Sequence, residues 1–399
     1  MKLRSLSSAP SLAGVPVLVR VDWNIPLSGK AEPEASLKIE RSLETIRWLQ
    51  KKKAIVIILT HLGRPVGYEL RFSTEQLVLL LAHEYKLDVT FHAGSMNVAA
   101  ERKKIQAELA LAEHGSVHLL ENVRFQTGEE TNSAALAKAY ASLAELFVND
   151  AFASCHRKHA SVVALAKQLP AYAGASLQEE VKMLTRLIQK PKKPVLAIVG
   201  GAKLSTKIPV LKTLLTQCDA VCLGGAMATT VLAAQKGEVG ASLVEKSAFP
   251  LVKQLLHSGS LVLPLDVRVV RRISAKMTPI VVLMHQIHPG DIVVDIGPKT
   301  CAEWGKRIRE AHTILWNGPV GITEYAASCE GSRFVARAVA LRAKGSAFGV
   351  AGGGDTIPIV MATKTLNSFD HVSTGGGAML EFVSLSGRLP GLEPLMLHS

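Results

Sequence analysis

Ten short, continuous apolar runs, spaced by segments of helical character, constrain this 399-residue chain more than any other feature. They are Val15 to Val21, Ala54 to Leu59, Val117 to Leu120, Leu146 to Val148, Val195 to Val199, Ala220 to Leu223, Leu261 to Pro264, Ile292 to Asp295, Thr313 to Trp316 and Ala347 to Val350. Runs rich in β-branched residues that do not alternate with polar ones belong to strands covered on both faces. Helical segments such as Leu37 to Gln50, Thr74 to Glu84, Ser133 to Glu145 and Gln178 to Gln189 separate them. That alternation predicts right-handed β-α-β crossovers and parallel sheets.

The length exceeds what one ordinary core accommodates. The expected fold is α/β: two doubly wound parallel-sheet (Rossmann-like) domains joined by a hinge helix, with an open cleft between them. The stretch from Pro170 to Pro194 marks the boundary, because it brackets a charged helix between proline and glycine. Residues 1–170 are then one domain, 171–190 the hinge helix and 191–384 the other domain. The turn-rich tail, 385–399, with Gly387-Arg388-Leu389-Pro390-Gly391, is expected to fold back onto the first.

A hydrophobic content of 48% and a mean hydropathy of +0.23 exclude a disordered chain. No apolar stretch approaches the roughly 18 uncharged residues that span a bilayer. Met1 to Leu6 runs almost directly into the first strand, leaving no room for a cleaved signal, so cytosol is the expected compartment. Five scattered cysteines without a Cys-x-x-Cys pair read as buried thiols rather than disulfides or zinc ligands. The formal charge of +13 admits nucleic acid, an anionic surface or small anionic substrates. Lysine runs are short, and no basic tail or aromatic-basic interleaving occurs, so they read first as a solvated basic surface, then as a match for small polyanions, with nucleic acid last.

Ligands of open parallel sheets sit beyond the carboxyl ends of the strands, and the two halves differ there. The first half offers Arg20, Arg64, Arg124 and Arg157 with His61, His156 and His159, of which Arg20 lies inside a strand. Arginine's planar fork suits carboxylate and phosphate oxygens, so a small ligand with at least two negative groups is implied. The second half offers Gly200-Gly201, Gly224-Gly225, Gly352 to Gly354 and Ser373-Thr374-Gly375-Gly376-Gly377. Such loops suit backbone amides approaching phosphate oxygens, and equally suit tight strand-to-helix packing. Asp355 stands where a polyphosphate would carry Mg²⁺, a position that also suits a helix cap. Lys203 and Lys207, four apart, would share a face of a first helical turn. No Walker A motif and no G-x-G-x-x-G fingerprint occurs. The division points to phosphoryl transfer between two ligands held by two domains.

These segments resemble phosphoglycerate kinase, nearly end to end. They are Arg20-Val21-Asp22-Trp23-Asn24-Ile25-Pro26, His61-Leu62-Gly63-Arg64-Pro65, Glu121 to Phe125, Val148 to Phe152, His156-Arg157-Lys158-His159, Gly200-Gly201-Ala202-Lys203, Trp316-Asn317-Gly318-Pro319, Gly352 to Thr356 and Ser373 to Ala378. The resemblance implies a monomer that moves a phosphoryl group from 1,3-bisphosphoglycerate to MgADP, giving 3-phosphoglycerate and MgATP. By motif, Asp22, Asn24, Lys38, His61, Arg64, Arg124 and Arg157 would hold the phosphoglycerate. Lys203, with Lys38 and the amides of Gly376 and Gly377, would meet the transferring phosphoryl. Lys207, Gly225, Asn317, Glu324, Gly353, Gly354 and Thr356 would hold the nucleotide, and Asp355 its Mg²⁺. Both possible nucleophiles, a carboxylate and an ADP phosphate, are already ionised near neutral pH, so no general base is required.

Thr206 and Ala226 differ from many family members without removing an expected ligand, but one departure is serious. Lys38 stands where its members carry a substrate-binding arginine, keeping the charge but losing the bidentate fork. A slower reaction is expected, with Arg41, one turn later, as a possible substitute. Two other readings stay open at this level: a basic homologue that binds nucleic acid or a partner, and a different acyl-phosphate kinase on the same scaffold.

Overall fold

Every residue of Ile55–Leu59 is buried, and this run lies within a six-stranded parallel sheet. The computed structural model describes residues 1–26, 33–256 and 259–397. It divides into two compact units, Met1–Lys182 with Gly387–Ser399, and Met183–Ser386.

In the first unit the strands are β1 (Pro16–Arg20), β2 (Ile55–Leu59), β3 (Thr90–His92), β4 (Val117–Leu120), β5 (Leu146–Asn149) and β6 (Ala171–Ala173). Their order is β3-β4-β2-β1-β5-β6, every pairing parallel. The helices are α1 (Pro33–Lys51), α2 (Leu77–Tyr85), α3 (Ala99–Ala110), α4 (Ala134–Ala141) and α5 (Ala175–Gln189). Ile39, Leu43 and Ile46 recur at helical spacing on α1 and bury against Val17, Val19 and Val56. Each such side chain contributes roughly 2 kcal/mol by leaving water. The chain end joins this unit: Leu3 bridges Met396, and Gly391 N–H donates to Cys155 O at 2.8 Å. The division between units falls inside α5.

The second unit holds β7 (Val195–Val199), β8 (Ala220–Leu223), β9 (Leu261–Val262), β10 (Asp266–Val270), β11 (Ile280–Leu283), β12 (Ile292–Ile296), β13 (Thr313–Asn317), β14 (Phe348–Gly352) and β15 (His371–Ser373). Six of them form a parallel sheet in the order β15-β14-β13-β7-β8-β9. Its helices are α6 (Ile208–Gln217), α7 (Ala226–Ala234), α8 (Phe249–Leu256), α9 (Pro298–Glu310), α10 (Glu330–Ala343), α11 (Ile357–Ala362) and α12 (Gly376–Ser384). In both large sheets the strand order reverses beside the first strand, between β1 and β5 and between β7 and β13. Those are the switch points where open sheets take ligands.

Three expectations are corrected. Ile292–Ile296 does not join a parallel sheet; β11, β10 and β12 form a separate antiparallel one. A short apolar run fixes burial but not strand direction, and the segment Asp295 to Pro298 therefore leads α9 away from a different sheet. Residues 171–173, expected in the hinge helix, form β6, because Ala171 to Ala173 is a buried triplet between Pro170 and Gly174, too short for a helix. The segment expected as a helix to Glu145 stops at Ala141, since Glu145 N–H already donates to Pro16 O to start β5.

Candidate active site

In the first unit the segments after β1, β2, β4 and β5 are laced to one another at the carboxyl ends of those strands. Asn24 Oδ1 accepts from Gly63 N–H at 2.8 Å, and Gly63 O accepts from Arg124 Nη1 at 2.8 Å. Gly63 has φ +59, and a side chain there would overlap the ring of Phe72. Asn122 caps the 3₁₀ turn Val123–Phe125 by accepting from Arg124 N–H at 3.0 Å, while its amide holds Leu62 O and Phe72 O. Lys38, half-buried on α1, donates from Nζ to Asn24 O at 3.3 Å. Arg157 Nε reaches His156 Nε2 at 3.2 Å, and Arg64 is exposed.

Cations outnumber carboxylates in this cluster. Burial lowers the Arg124 pKa, Glu130 opposes that shift, and Arg157, Arg20 and Arg64 lower it further. His61 is buried and held well below its ordinary value by desolvation, then by Arg20, Arg124, His159 and Arg157. Asp22 Oδ1 lies 3.8 Å from His61 Nδ1 and accepts from Asn24 N–H at 3.4 Å. Asp22, Asn24, Lys38, His61, Arg64, Arg124 and Arg157 are thus brought together around a concentration of cations that an anion would relieve. Arg41 is not among them. Its Nη1 pairs with the buried Glu180 carboxylate of α5 at 3.2 Å.

In the second unit the loops after β7, β8, β13, β14 and β15 meet at one end of the sheet. A side chain at Gly200 would overlap Pro319 O, and one at Gly376 would overlap Gly353 Cα. At Gly225 (φ +65) a Cβ would come within 2.9 Å of Gly201 O. Close approach therefore explains glycine at Gly200, Gly225 and Gly376. Gly377 is different: it is exposed, and a Cβ there would meet nothing within 4 Å. Lys207 Nζ donates to Gly200 O at 2.6 Å and Asn317 Oδ1 at 3.1 Å, and the Asn317 amide donates to Gly352 O at 2.9 Å. Thr356 Oγ1 accepts from Gly318 N–H at 2.8 Å. Burial lowers Lys207 to about 8, against the opposing pull of Asp355.

Lys203 and Lys207 do not share a helical face. The chain leaves β7 as an irregular loop, and only Ser205–Lys207 closes a 3₁₀ turn before α6, so Lys203 is exposed while Lys207 points inward. Gly354 and Asp355 are exposed beside buried Thr356. Glu324 is exposed, and among the described residues no hydrogen bond joins it to this cluster. Sequence reasoning missed Asn122, Glu129 and Ser161, which support the first cluster from below. Glu129 lies in a turn and Ser161 on a π-helical turn (Ala160–Ala164), with no local signal that the two meet.

No helix among the described residues is long and apolar enough to cross a membrane. A family model described as phosphoglycerate kinase matches residues 8–387. A curated phosphoglycerate kinase of Thermus thermophilus is 43% identical over 390 residues, covering 96% of this chain and 97% of that one. A solved phosphoglycerate kinase from Coxiella burnetii, 36% identical, aligns with a TM-score of 0.81 over 99% of this chain and 98% of its own. One from Pyrococcus horikoshii OT3, 26% identical, aligns with a TM-score of 0.82 over 98% of both. With the family matched across nearly its whole length, the chain belongs to the phosphoglycerate kinases.

Proposed function

We propose that this kinase transfers a phosphoryl group reversibly between 1,3-bisphosphoglycerate and MgADP, yielding 3-phosphoglycerate and MgATP. The observation that carries the reading is the division of chemistry: clustered cations at the strand ends of one sheet, and glycine loops with a half-buried lysine at those of the other. Arg64, Arg124, Arg157 and His61 bind the carboxyl and phosphate oxygens of phosphoglycerate, with Asp22 and Asn24 fixing the hydroxyl side and the loop. Lys207, Asn317, Thr356 and the amides after Gly225 and Gly353 hold the nucleotide phosphates, and Glu324 takes the ribose.

Mg²⁺ arrives as part of the nucleotide substrate. Asp355 fits it, because its exposed carboxylate has no hydrogen-bond or ion-pair partner among the described residues and borders a rim of amides and Lys207. One carboxylate plus phosphate oxygens is a usual Mg²⁺ environment. The ion neutralises phosphate charge when bound.

In the ATP-forming direction a β-phosphate oxygen of ADP attacks the acyl phosphorus, and the bond to the carboxyl oxygen breaks. The leaving group departs as a carboxylate, so no proton moves. The residues' work is alignment and neutralisation of spread negative charge. Lys203, Lys38 and the amides of Gly376 and Gly377 meet the transferring group. Lys38 supplies charge without a fork, which slows the step.

Steady-state turnover of 3-phosphoglycerate with MgATP, coupled to NADH oxidation through glyceraldehyde-3-phosphate dehydrogenase, tests the reading. Saturable turnover requiring both substrates is expected. Protein that binds MgADP yet produces no 1,3-bisphosphoglycerate would overturn it.

A further inference from the structure

Beneath the cationic cluster runs a chain of hydrogen bonds whose directions are all determined. Both oxygens of Glu129 accept from Ser161, Oε1 from the hydroxyl at 2.6 Å and Oε2 from the backbone N–H at 3.0 Å, as a carboxylate does. With its proton committed to Glu129, Ser161 Oγ can only accept from Arg20 Nε, 3.0 Å away. Arg20 is buried inside β1, and its Nη1 is committed to Val21 O. Its Nη2 faces His61 Nδ1 at 3.2 Å. A guanidinium has no acceptor, so Nδ1 of His61 must offer its lone pair. The ring proton is then on Nε2, which has no partner among the described residues.

A competing arrangement is close at hand. Asp22 Oδ1 stands 3.8 Å from the same Nδ1 and would accept a proton from it. The other charged groups facing His61 are Arg124 after β4, and Arg157 and His159 after β5. The cations oppose protonation and Asp22 favours it, so the placement of Arg20 decides the outcome.

We propose that Glu129, acting through Ser161 and Arg20, is a positioning residue that holds His61 as its Nε2–H tautomer and aims that single donor at the phosphoglycerate. The inference rests on reading His61 as a contact of that substrate. It makes a histidine, the side chain most apt to titrate near neutrality, serve as a fixed neutral donor. Substrate binding is thereby uncoupled from the protonation of His61.

The test is ¹⁵N spectroscopy of histidine-labelled, ligand-free protein, with His61 assigned by the signals lost in His61→Gln. From about pH 5.5 to 8 the His61 signals should keep the Nε2–H pattern without titrating. An imidazolium pattern, or a proton on Nδ1, in that range would overturn the proposal. In Ser161→Ala and Glu129→Gln, His61 should begin to titrate. The KM for 3-phosphoglycerate should rise about tenfold, as for loss of a hydrogen bond to a charged group, with kcat within about twofold. That KM should also acquire a pH dependence absent from the parent. A raised KM with an unchanged tautomer and no new pH dependence would show mere structural damage and refute the relay. The wild-type spectrum stands as a test even where a variant does not fold. A fixed tautomer in protein without turnover would count against the substrate assignment while supporting the relay.

Discussion

Nζ of Lys207 donates to Oδ1 of Asn317 across 3.1 Å, joining the loop after β7 to the end of β13. The lysine is half-buried among carbonyl and amide oxygens, with one exposed carboxylate, Asp355, in electrostatic reach.

That environment sets a pH dependence. Lys207 titrates at about 8, against 10.5 for an unperturbed lysine. Between those values the unfolded chain binds more protons, so this lysine's contribution to stability is least favourable below about 8 and recovers as pH rises toward 10.5. Nucleotide binding runs the other way, because the deprotonated amine no longer neutralises phosphate. Calorimetric MgADP affinity should weaken as pH rises through about 8, and the weakening should vanish in Lys207→Met.

Gly376 and Gly377 separate folding from ligand approach. Gly376→Ala pushes a methyl into Gly353 and should lower the melting temperature. Gly377→Ala meets no protein atom, so its melting temperature should match the parent. If the amide of Gly377 meets the transferring phosphoryl, the same substitution should lower kcat by about tenfold or more. Thermal denaturation and steady-state kinetics on the pair check both statements.

Asp150, buried just after β5, accepts from Leu177 N–H through Oδ1, while Oδ2 has no partner among the described residues. Burial raises it to about 7 from 3.8. The folded chain therefore holds more protons between those values, and stability falls as pH rises from about 4 to 7. Asp150→Asn removes the buried charge. It should raise the melting temperature at pH 8 relative to the parent, and raise it less at pH 5, measured by calorimetry at the two pH values.

Lys38 is the α1 residue proposed to meet the transferring phosphoryl. Lys38→Ala should lower kcat about a hundredfold, comparable to losing one transition-state donor. Lys38→Arg should raise kcat above the parent. Wild-type rates surviving Lys38→Ala would remove it from the site.

What was legible in the chain follows from how each element buries its residues. Val195–Val199 and Ala220–Leu223 were read to the residue, because central parallel strands are unbroken apolar runs. Thr90–His92, Ala171–Ala173 and His371–Ser373 were not, since three-residue edge strands carry too few side chains to show a pattern. The hairpin of β10 and β11 escaped because no compact turn signature joins them. Candidate site residues were legible where they stand within a few positions of a strand end, as His61, Arg124 and Gly353 do. Partners remote in sequence were not: Ser161 lies 141 positions from Arg20, and only the fold reveals that they bond.

The most direct measurement titrates 3-phosphoglycerate and MgADP separately into the parent, Arg124→Gln and Lys207→Met. Arg124→Gln should lose about tenfold or more in affinity for 3-phosphoglycerate while binding MgADP as the parent does, and Lys207→Met should do the reverse. Equal losses for both ligands in either variant, or full 3-phosphoglycerate affinity without Arg124, would contradict the assignment of one substrate to each unit.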